Sequence, residues 1–458
     1  MLREKAQIKL TKEQLYALLL LSVGNLLDQF DKTLHIHVST IIDSLFFPTV
    51  NSKFKDFIPA FSFFSAYFFT PVGAIFFGYV GDILGRKVAL VLNSFVTCGC
   101  CLVVTFLPTY AQIGIAATII LTICRMLQSM SGLSEVNGAE IYLTESVKPP
   151  IQYPTVALIY AAAGLGSMLA LSITVLFTNT DILPQEFKNH AWRFCFFAGA
   201  MIGVIGAVAR RGLQEAGEFA DRQKSLKEQF AKANIEWSKK NPSINPKIPL
   251  KTSLSYFFIV WCRPICFYFI FVHCAELLAK DFGFSRIQIV TNNLLPGIIT
   301  ALVPLLVSYL SYKIHPFKII QFKVVLFTLC AFAFPFVLDT FQTPKTILLF
   351  QCIFVALRFD YAPATPILIK YFPVLKRFRY AGILGAMATS VASIVSPVCM
   401  IFLSNIFGNK GILLFLTPVA FLFLLSVEYF AKKEATEHNR SIADYKSSFA
   451  PQKSICTR

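Results

Sequence analysis

Apolar side chains run through this chain in long unbroken blocks. By inspection the blocks cover residues 14–45, 55–80, 88–108, 112–144, 151–178, 191–211, 251–279, 287–312, 319–339, 344–369, 380–405 and 408–430. Each has about the 20 residues that a helix needs to cross the hydrocarbon core of a bilayer. A half-buried strand would alternate apolar and polar positions instead, as would the wall of an outer-membrane barrel. The longest polar stretch, 212–250, falls in the middle of the chain and ends in NPSINPKIP, where Pro242, Pro246 and Pro249 stop any helix. Six blocks precede it and six follow. The pattern predicts an all-α integral membrane protein with twelve transmembrane helices in two six-helix bundles. Residues 1–212 form the first bundle and 251–432 the second. Residues 213–250 form a basic cytoplasmic loop, and 433–458 a polar cytoplasmic tail. Within the loop, Leu213, Phe219, Leu226, Phe230 and Trp237 fit a helix lying on lipid headgroups, and they fit a solvated linker equally well.

Composition excludes the main alternatives. Hydrophobic residues fill 55% of the 458 positions, mean hydropathy is +0.62 and charged residues fall to 15%. A soluble chain carries roughly 25% charged residues. A single water-bounded core stops growing near ~250–300 residues. A soluble enzyme, a disordered chain and a secreted disulfide scaffold are therefore ruled out. The net charge of +17 follows topology and does not call for nucleic acid. With the N-terminus in the cytoplasm, only Lys53, Lys55, Lys188, Lys280, Arg286, Lys345 and Lys410 fall on the far side, out of 42 Lys and Arg. The positive-inside rule then places both termini in the cytoplasm, with anionic headgroups as the counter-charge. The first block is too long and too charged for a cleavable leader. Of the twelve cysteines, all but Cys456 fall inside apolar blocks, where small apolar filler is the simplest reading.

Charges inside the blocks carry the candidate chemistry. The first block reads GNLLDQFDKTLHIH. At 100° per residue Asn25, Asp28, Asp31, Lys32 and His35 share about 120° of helix arc. Each charge at mid-bilayer costs roughly 2.5–3.5 kcal/mol, so these residues predict a polar face on a wetted path. A self-neutralising pair of Asp28 with Lys32, four residues on, is the structural alternative. In the fourth block Gln128, Ser131, Glu135 and Tyr142 share one face. Arg125 lies about 80° around the helix from Glu135 and roughly 15 Å along it, too far for a bond. Arg125 can hold a carboxylate and Glu135 a cation or proton, unless the two serve as glue between helices. Glu140 falls on another face, near the cytoplasmic end. In the second half, Arg263, His273 and Glu276 sit in the seventh block, and Arg358 and Asp360 in the tenth, before Pro363 and Pro366. On a regular helix Arg358 and Asp360 stand about 200° apart and need different neighbours. Arg193 and Lys323 are placed at span ends, snorkelling to headgroups.

Between the second and third blocks stands GYVGDILGRK, residues 78–87, which resembles the signature loop of the major facilitator superfamily. GNLLDQFD (24–31), CRMLQSMSGLSEVNGAEIYLTE (124–145), Trp192-Arg193 with Phe196-Phe197, and YFPVLKRFRYAG (371–382) are similar to segments of its metabolite/proton symporter family. The resemblance implies proton-coupled import of a small zwitterionic osmolyte or metabolite, of the proline or betaine kind, by alternating access in a bacterial inner membrane. It implies a monomer whose partners are solute, proton and lipid, with no cofactor. A carboxylate exchanger, or a degenerate transporter acting as a receptor or scaffold, are the alternatives. By residue match, Asp28 and Asp31 take the acids of helix one, and Arg125 and Glu135 the pair of helix four. The candidate solute and proton residues are Asn25, Asp28, Asp31, Lys32, His35, Arg125, Gln128, Glu135, Arg358 and Asp360. The resemblance makes Gly78, Asp82, Gly85, Arg86, Lys87, Glu145 and Arg379 a conformational latch, with Asp82 facing a helix N-terminus of the other bundle. Lys32 stands where the family has an aromatic residue, and SYLSYKIHPFK replaces the second copy of the loop.

Overall fold

The computed structural model describes residues 7–47, 57–178, 191–232 and 248–448. Lys53, Lys55, Lys188, Trp237, Pro242, Pro246 and Cys456 lie outside the described residues. The first half of the chain contains α1 (Lys12–Phe46), α2 (Phe57–Ile83), α3 (Arg86–Phe106), α4 (Ile115–Ser146), α5 (Gln152–Thr178) and α6 (Ala191–Arg210), followed by the amphipathic α7 (Gly217–Lys232). The second half contains α8 (Leu250–Phe282), α9 (Arg286–Lys313), α10 (Pro316–Thr340), α11 (Pro344–Leu357), the short α12 (Thr365–Ile369), α13 (Arg377–Phe407) and α14 (Gly411–Ser448).

Among the described residues nine segments are long and apolar enough to cross a membrane, and the last of them, Val374–Glu437, runs through both α13 and α14. α2 contributes a shorter apolar stretch, Tyr67–Ile83. α1 is 35 residues long, but Asp28, Asp31 and Lys32 interrupt its apolar run. Large side chains such as Phe68, Phe106, Phe322, Phe332, Phe402 and Phe421 are exposed on the outside, as expected where the surrounding solvent is lipid.

Local chemistry sets the helix ends. α8 stops at Gly283, which takes a φ of 64°, a left-handed conformation that a side chain disfavours. There the Gly283 N–H reaches Ala279 O at 3.1 Å, and the Phe284 N–H reaches Leu278 O at 3.2 Å, closing the last turn. Ser285 then caps α9, its hydroxyl accepting from the Gln288 N–H at 3.4 Å while the Gln288 side chain reaches back to the Ser285 N–H at 2.8 Å. α10 and α11 begin with proline, where a missing N–H costs nothing. Within α8, Tyr268–His273 widens into a π-helical turn, and Gln351 donates to the Ile270 carbonyl at 2.8 Å.

The halves meet along two helix pairs, α5 with α9 and α2 with α13. Small residues permit both approaches. A Cβ on Gly164 would lie 2.5 Å from the Ala301 Cα, and one on Gly78 would lie 2.9 Å from the Arg379 Cα. Ser390 on α13 donates to the Tyr67 carbonyl on α2 at 2.7 Å, and Ser308 on α9 to the Pro154 carbonyl at 2.9 Å. The second half has one apolar core, rich in phenylalanine, with Phe269, Phe327, Phe334 and Phe354 fully buried. The first half has two cores. One gathers Leu21, Leu90, Leu143 and Tyr160, and the other Phe30, Val104, Leu121 and Phe196. Between them α1, α3 and α4 each place their buried polar residues.

Three sequence expectations change here. The sequence ends the last span at 430, but α14 continues as a helix to Ser448. Lys432 pairs with Glu428 one turn back at 2.7 Å, and Glu434 faces His315 at 3.3 Å, so the helix holds beyond its apolar part. Leu213, Ala216 and Phe219 are buried against the ends of the first-half helices, so the start of α7 packs on protein and not on headgroups. Lys323 is buried seven residues inside α10 and does not snorkel from its end.

The closest backbone approaches give a stability test. A Cβ on Gly166 would lie 2.1 Å from the Leu26 carbonyl oxygen, whereas one on Gly99 meets nothing within 4 Å. Gly166→Val is expected to destabilise the protein by about 1–3 kcal/mol through overpacking. Gly99→Ala is expected to stabilise its helix by about 0.5–1 kcal/mol. Unfolding in detergent micelles measures both.

Candidate functional site

One charged network closes the end of the molecule where α2 turns into α3. The turn requires Gly85, which has a φ of 116° and whose Cβ would lie 2.0 Å from Glu215 Oε2. Arg86 follows as the first residue of α3 and is completely buried. Its guanidinium donates to Glu145 at the end of α4 through Nε and Nη2, both at 3.0 Å, in a bidentate pair. Nη1 reaches the Gly81 carbonyl at 2.8 Å and Asp82 at 3.1 Å, and Nη2 reaches the Val374 carbonyl of the second half at 2.6 Å. The Phe219 ring of α7 lies 4.0 Å from the guanidinium carbon.

Asp82 sits at the N-terminus of α13. It accepts from the backbone N–H groups of Phe378 at 3.3 Å and Arg379 at 3.2 Å. These donors have no partner within their own helix, and the helix dipole favours a negative charge there. The Arg379 side chain adds a looser contact at 3.6 Å. Arg377, which leads α13, bridges Glu145 at 3.1 Å and Glu218 of α7 at 2.8 Å. Gly78 and Gly81 let α2 approach, since a Cβ on Gly81 would lie 2.8 Å from the Phe378 ring. The network joins Gly78, Asp82, Gly85, Arg86, Glu145 and Arg379 of the sequence-derived set. Lys87 lies half-buried outside it. Glu215, Glu218, Val374 and Arg377 are members that sequence reasoning missed. The first two lie in the polar central stretch, where nothing marks one acid for a place in the network.

The second site is the polar layer between the two first-half cores. Asp28 accepts from Lys32 at 2.7 Å and presses on α4, where a Cβ on Gly132 would lie 2.0 Å from Asp28 Oδ1. Asp31 accepts from Gln128 at 2.9 Å and from the Cys101 thiol at 3.7 Å, and lies 3.8 Å from Arg125 Nη1. Arg125 is buried, with the Phe196 ring 5.4 Å away, and its Nε and Nη2 take no hydrogen bond. Gln128 Oε1, Asn25 Oδ1 and His35 Nδ1 are likewise buried without a partner. Asn25 spends its donor on the Leu21 carbonyl at 3.0 Å. Glu135 makes no ion pair with Arg125 among the described residues. It pairs with Arg210, which is fully buried and also donates to Ser94 at 2.5 Å and to the Leu20 carbonyl at 3.1 Å. The sequence suggests Arg210 as a loop charge at the exit of the sixth block. The structure places it beside Gly24, because only a residue without a side chain leaves room for the guanidinium.

Arg358 and Asp360 are neighbours, 3.6 Å apart, which corrects the 200° separation. α11 ends at Leu357 and the chain is non-helical at 358–361 before Pro363, so helical spacing does not apply there. Asp360 also accepts from the Ala362 N–H at 3.3 Å. They lie in the second half, and no contact joins them to Asp28 or Arg125 among the described residues. Arg263 of α8 stacks on the Tyr160 ring of α5 at 4.1 Å. His273 packs against Phe269 at 6.1 Å, and Arg193 donates to the Thr105 and Leu107 carbonyls at 3.0 Å. Among the described residues no group of three or more His, Cys, Asp and Glu could hold a metal ion.

Comparison with known proteins bears on this arrangement. The model of the Major Facilitator Superfamily matches residues 38–362. The citrate-proton symporter of Klebsiella pneumoniae is 29% identical over 224 residues, 48% of this chain and 50% of that protein. The proline/betaine transporter of Salmonella typhimurium is 27% identical over 207 residues, 45% of this chain and 41% of that protein. The chain thus spans about half or less of the length of these curated relatives. In structure, it is similar to the proton:xylose symporter XylE of E. coli, with a TM-score of 0.75 over 92% of this chain and 95% of that one. At 12% identity this likeness concerns the fold alone.

The two acids on Arg377 separate a buried role from a surface one. Glu145→Gln strands parts of two buried guanidinium groups and is expected to destabilise the protein by about 3–5 kcal/mol. The Glu218 side chain is 45% exposed, and Glu218→Gln is expected to cost less than about 1 kcal/mol. Thermal unfolding of the two variants in one detergent checks the difference.

Proposed function

The chain belongs to the Major Facilitator Superfamily, and we propose that it is a proton-coupled secondary transporter for a small zwitterionic metabolite. It is a multi-pass membrane protein and not a catalytic enzyme. On this reading α1 to α6 form one six-helix bundle, and α8 to α14 the other, with α11 and α12 together making one crossing. Both termini face the cytoplasm of a bacterial inner membrane, and the monomer is the working unit.

The observation that carries the proposal is the set of charged side chains gathered where α1 meets α4, with Asp28, Asp31 and Arg125 buried and the Lys32 side chain 38% exposed. Asp28, Asp31, Lys32 and Arg125 lie on membrane-spanning helices, and each costs roughly 2.5–3.5 kcal/mol at mid-bilayer on insertion scales. Packing alone gives no return on that cost. A solute does, because it exchanges places with the internal partners. Arg125 has two donor nitrogens without acceptors, which suits a carboxylate held by parallel hydrogen bonds. Asp28 and Asp31 offer the matching negative charge for a cationic group. A zwitterion of the proline or betaine kind would satisfy both ends and reset the internal pairs.

The latch supplies the second state. Its cross-half contacts are hydrogen bonds and ion pairs of Asp82, Arg86 and Arg377, so water entering from that end can replace them one for one. With the latch closed, solute would enter from the opposite side. A proton moving inward down a potential of about 100 mV contributes roughly 2.3 kcal/mol to accumulation. Uptake of labelled proline, betaine or citrate into proteoliposomes is expected to require the proton gradient and to stop when a protonophore collapses it. Persistence of accumulation would reject the coupling.

The free donors of Arg125 favour a carboxylate exchanger as the second reading, since they hold a carboxylate with or without a cationic group on the solute. Counterflow without proton dependence would decide for it. For either solute, Arg125→Lys keeps the charge and loses the fork. It is expected to weaken binding about tenfold or more, read from the solute-induced rise in thermal midpoint, while the midpoint without solute changes little.

A further inference from the structure

Seven carboxylates are buried among the described residues. Six of them, Asp28, Asp31, Asp82, Glu135, Glu145 and Asp360, have an Arg or Lys nitrogen within 3.8 Å. Glu140 is the exception. It is 1% exposed, and its hydrogen-bond partners are hydroxyls, those of Tyr160 on α5 and Thr365 on α12 at 3.3 Å. Both hydroxyls reach the same oxygen, Oε1. The nearby cation, Arg263, lies over the face of the Tyr160 ring and forms no salt bridge with the carboxyl. Its other titratable neighbours are Asp360, Tyr361 and Tyr256.

Glu140 also occupies a distinctive place. Tyr160 belongs to the first half of the chain and Thr365 to the second, so the carboxyl is bonded across the seam. It lies five residues before Glu145 on α4, about 7.5 Å deeper than the latch. A bare charge there has no directly bonded cation while the seam is shut, only the field of Arg263 from across the Tyr160 ring.

We propose that Glu140 is a proton-binding site of the transport cycle, neutral while α4 and α5 rest on α12 and ionised when the seam parts. The proposal rests on the transport reading and adds a group to it. In the shut state the carboxylic acid keeps its proton, and Oε1 accepts both hydroxyls as a carbonyl oxygen. When the latch end opens, the bond to Thr365 breaks and water reaches the carboxyl. The proton passes to that water, and the carboxylate is left hydrated. Because the shut state binds the proton more tightly, acid favours the shut state and rising pH favours the open one. One linked proton changes the open-to-shut ratio by at most about tenfold per pH unit.

The test uses the full chain in lipid nanodiscs, with spin labels carried on non-natural amino acids at the exposed positions Glu13 and Lys318. Distances between the labels are measured across a pH series, with and without proline, betaine or citrate. In the wild type the longer distance is expected to gain population with pH, up to about tenfold per unit. Glu140→Gln, which keeps the shape and the hydroxyl contacts, is expected to hold the short distance at every pH. Infrared difference spectra of the wild type are expected to show a protonated-carboxyl band that Glu140→Gln removes. Tyr160→Phe keeps Glu140 but takes away one donor, and is expected to move the midpoint without abolishing the transition. Coincident pH curves for wild type and Glu140→Gln, with the solute response intact, would overturn the proton site and leave the transport reading standing. Distances indifferent to both pH and solute would overturn the two together.

Discussion

A charge surrounded by lipid has to find its compensation inside the chain, because the solvent offers none. This constraint organises the molecule more than apolar packing does, since large apolar side chains are exposed on the outside of the spanning helices and lipid is as good a partner as protein. The buried ions therefore gather into layers. One closes the end at Gly85, another separates the two cores of the first half, and a third links Arg358 with Asp360 in the second half. Each layer is a place where helices are held by directional bonds, and where a solute, a proton or water can substitute for one of the partners.

The two kinds of contact between the halves differ in what it takes to break them. Gly164 against Ala301 brings backbones together through small apolar residues, and little is gained by exposing that surface to water. Asp82 is held across the seam by two N–H groups at the head of α13. Water can supply equivalents for both. A carboxylate on a helix N-terminus is in this sense a strong contact with a low barrier to exchange, suited to a joint that must open many times. The glycines at 78 and 81 matter for the same joint, because they set how close α2 comes to the donors.

Much of the site is legible in the residue order alone. The four-residue spacing of Asp28 and Lys32 puts them on one face, and they meet at 2.7 Å. The glycines and acid of GYVGDILGRK mark a turn with a charge to place. Other members carry no such mark. Glu218 and Arg377 are ordinary surface types in polar segments. Arg210 reads as an exit charge, and its burial depends on Gly24 lying opposite it on another helix. Arg358 and Asp360 defeat a helical-wheel argument because the helix has ended before them. Glu140 looks peripheral in the sequence, since its significance lies in residues 20 and 225 positions away.

Sequence alone determined the class of protein, the apolar helical character of most of the chain and the presence of charges that need an internal explanation. Hydropathy and helical period are local properties, and local order is enough to read them. Tertiary structure decided which charge answers which: Glu135 with Arg210, Asp31 with Arg125, Glu145 with two arginines, Glu140 with hydroxyls alone. Pairing depends on distances between helices far apart in the chain, and a few ångströms separate a salt bridge from an uncompensated ion. No spacing along a single chain encodes that difference.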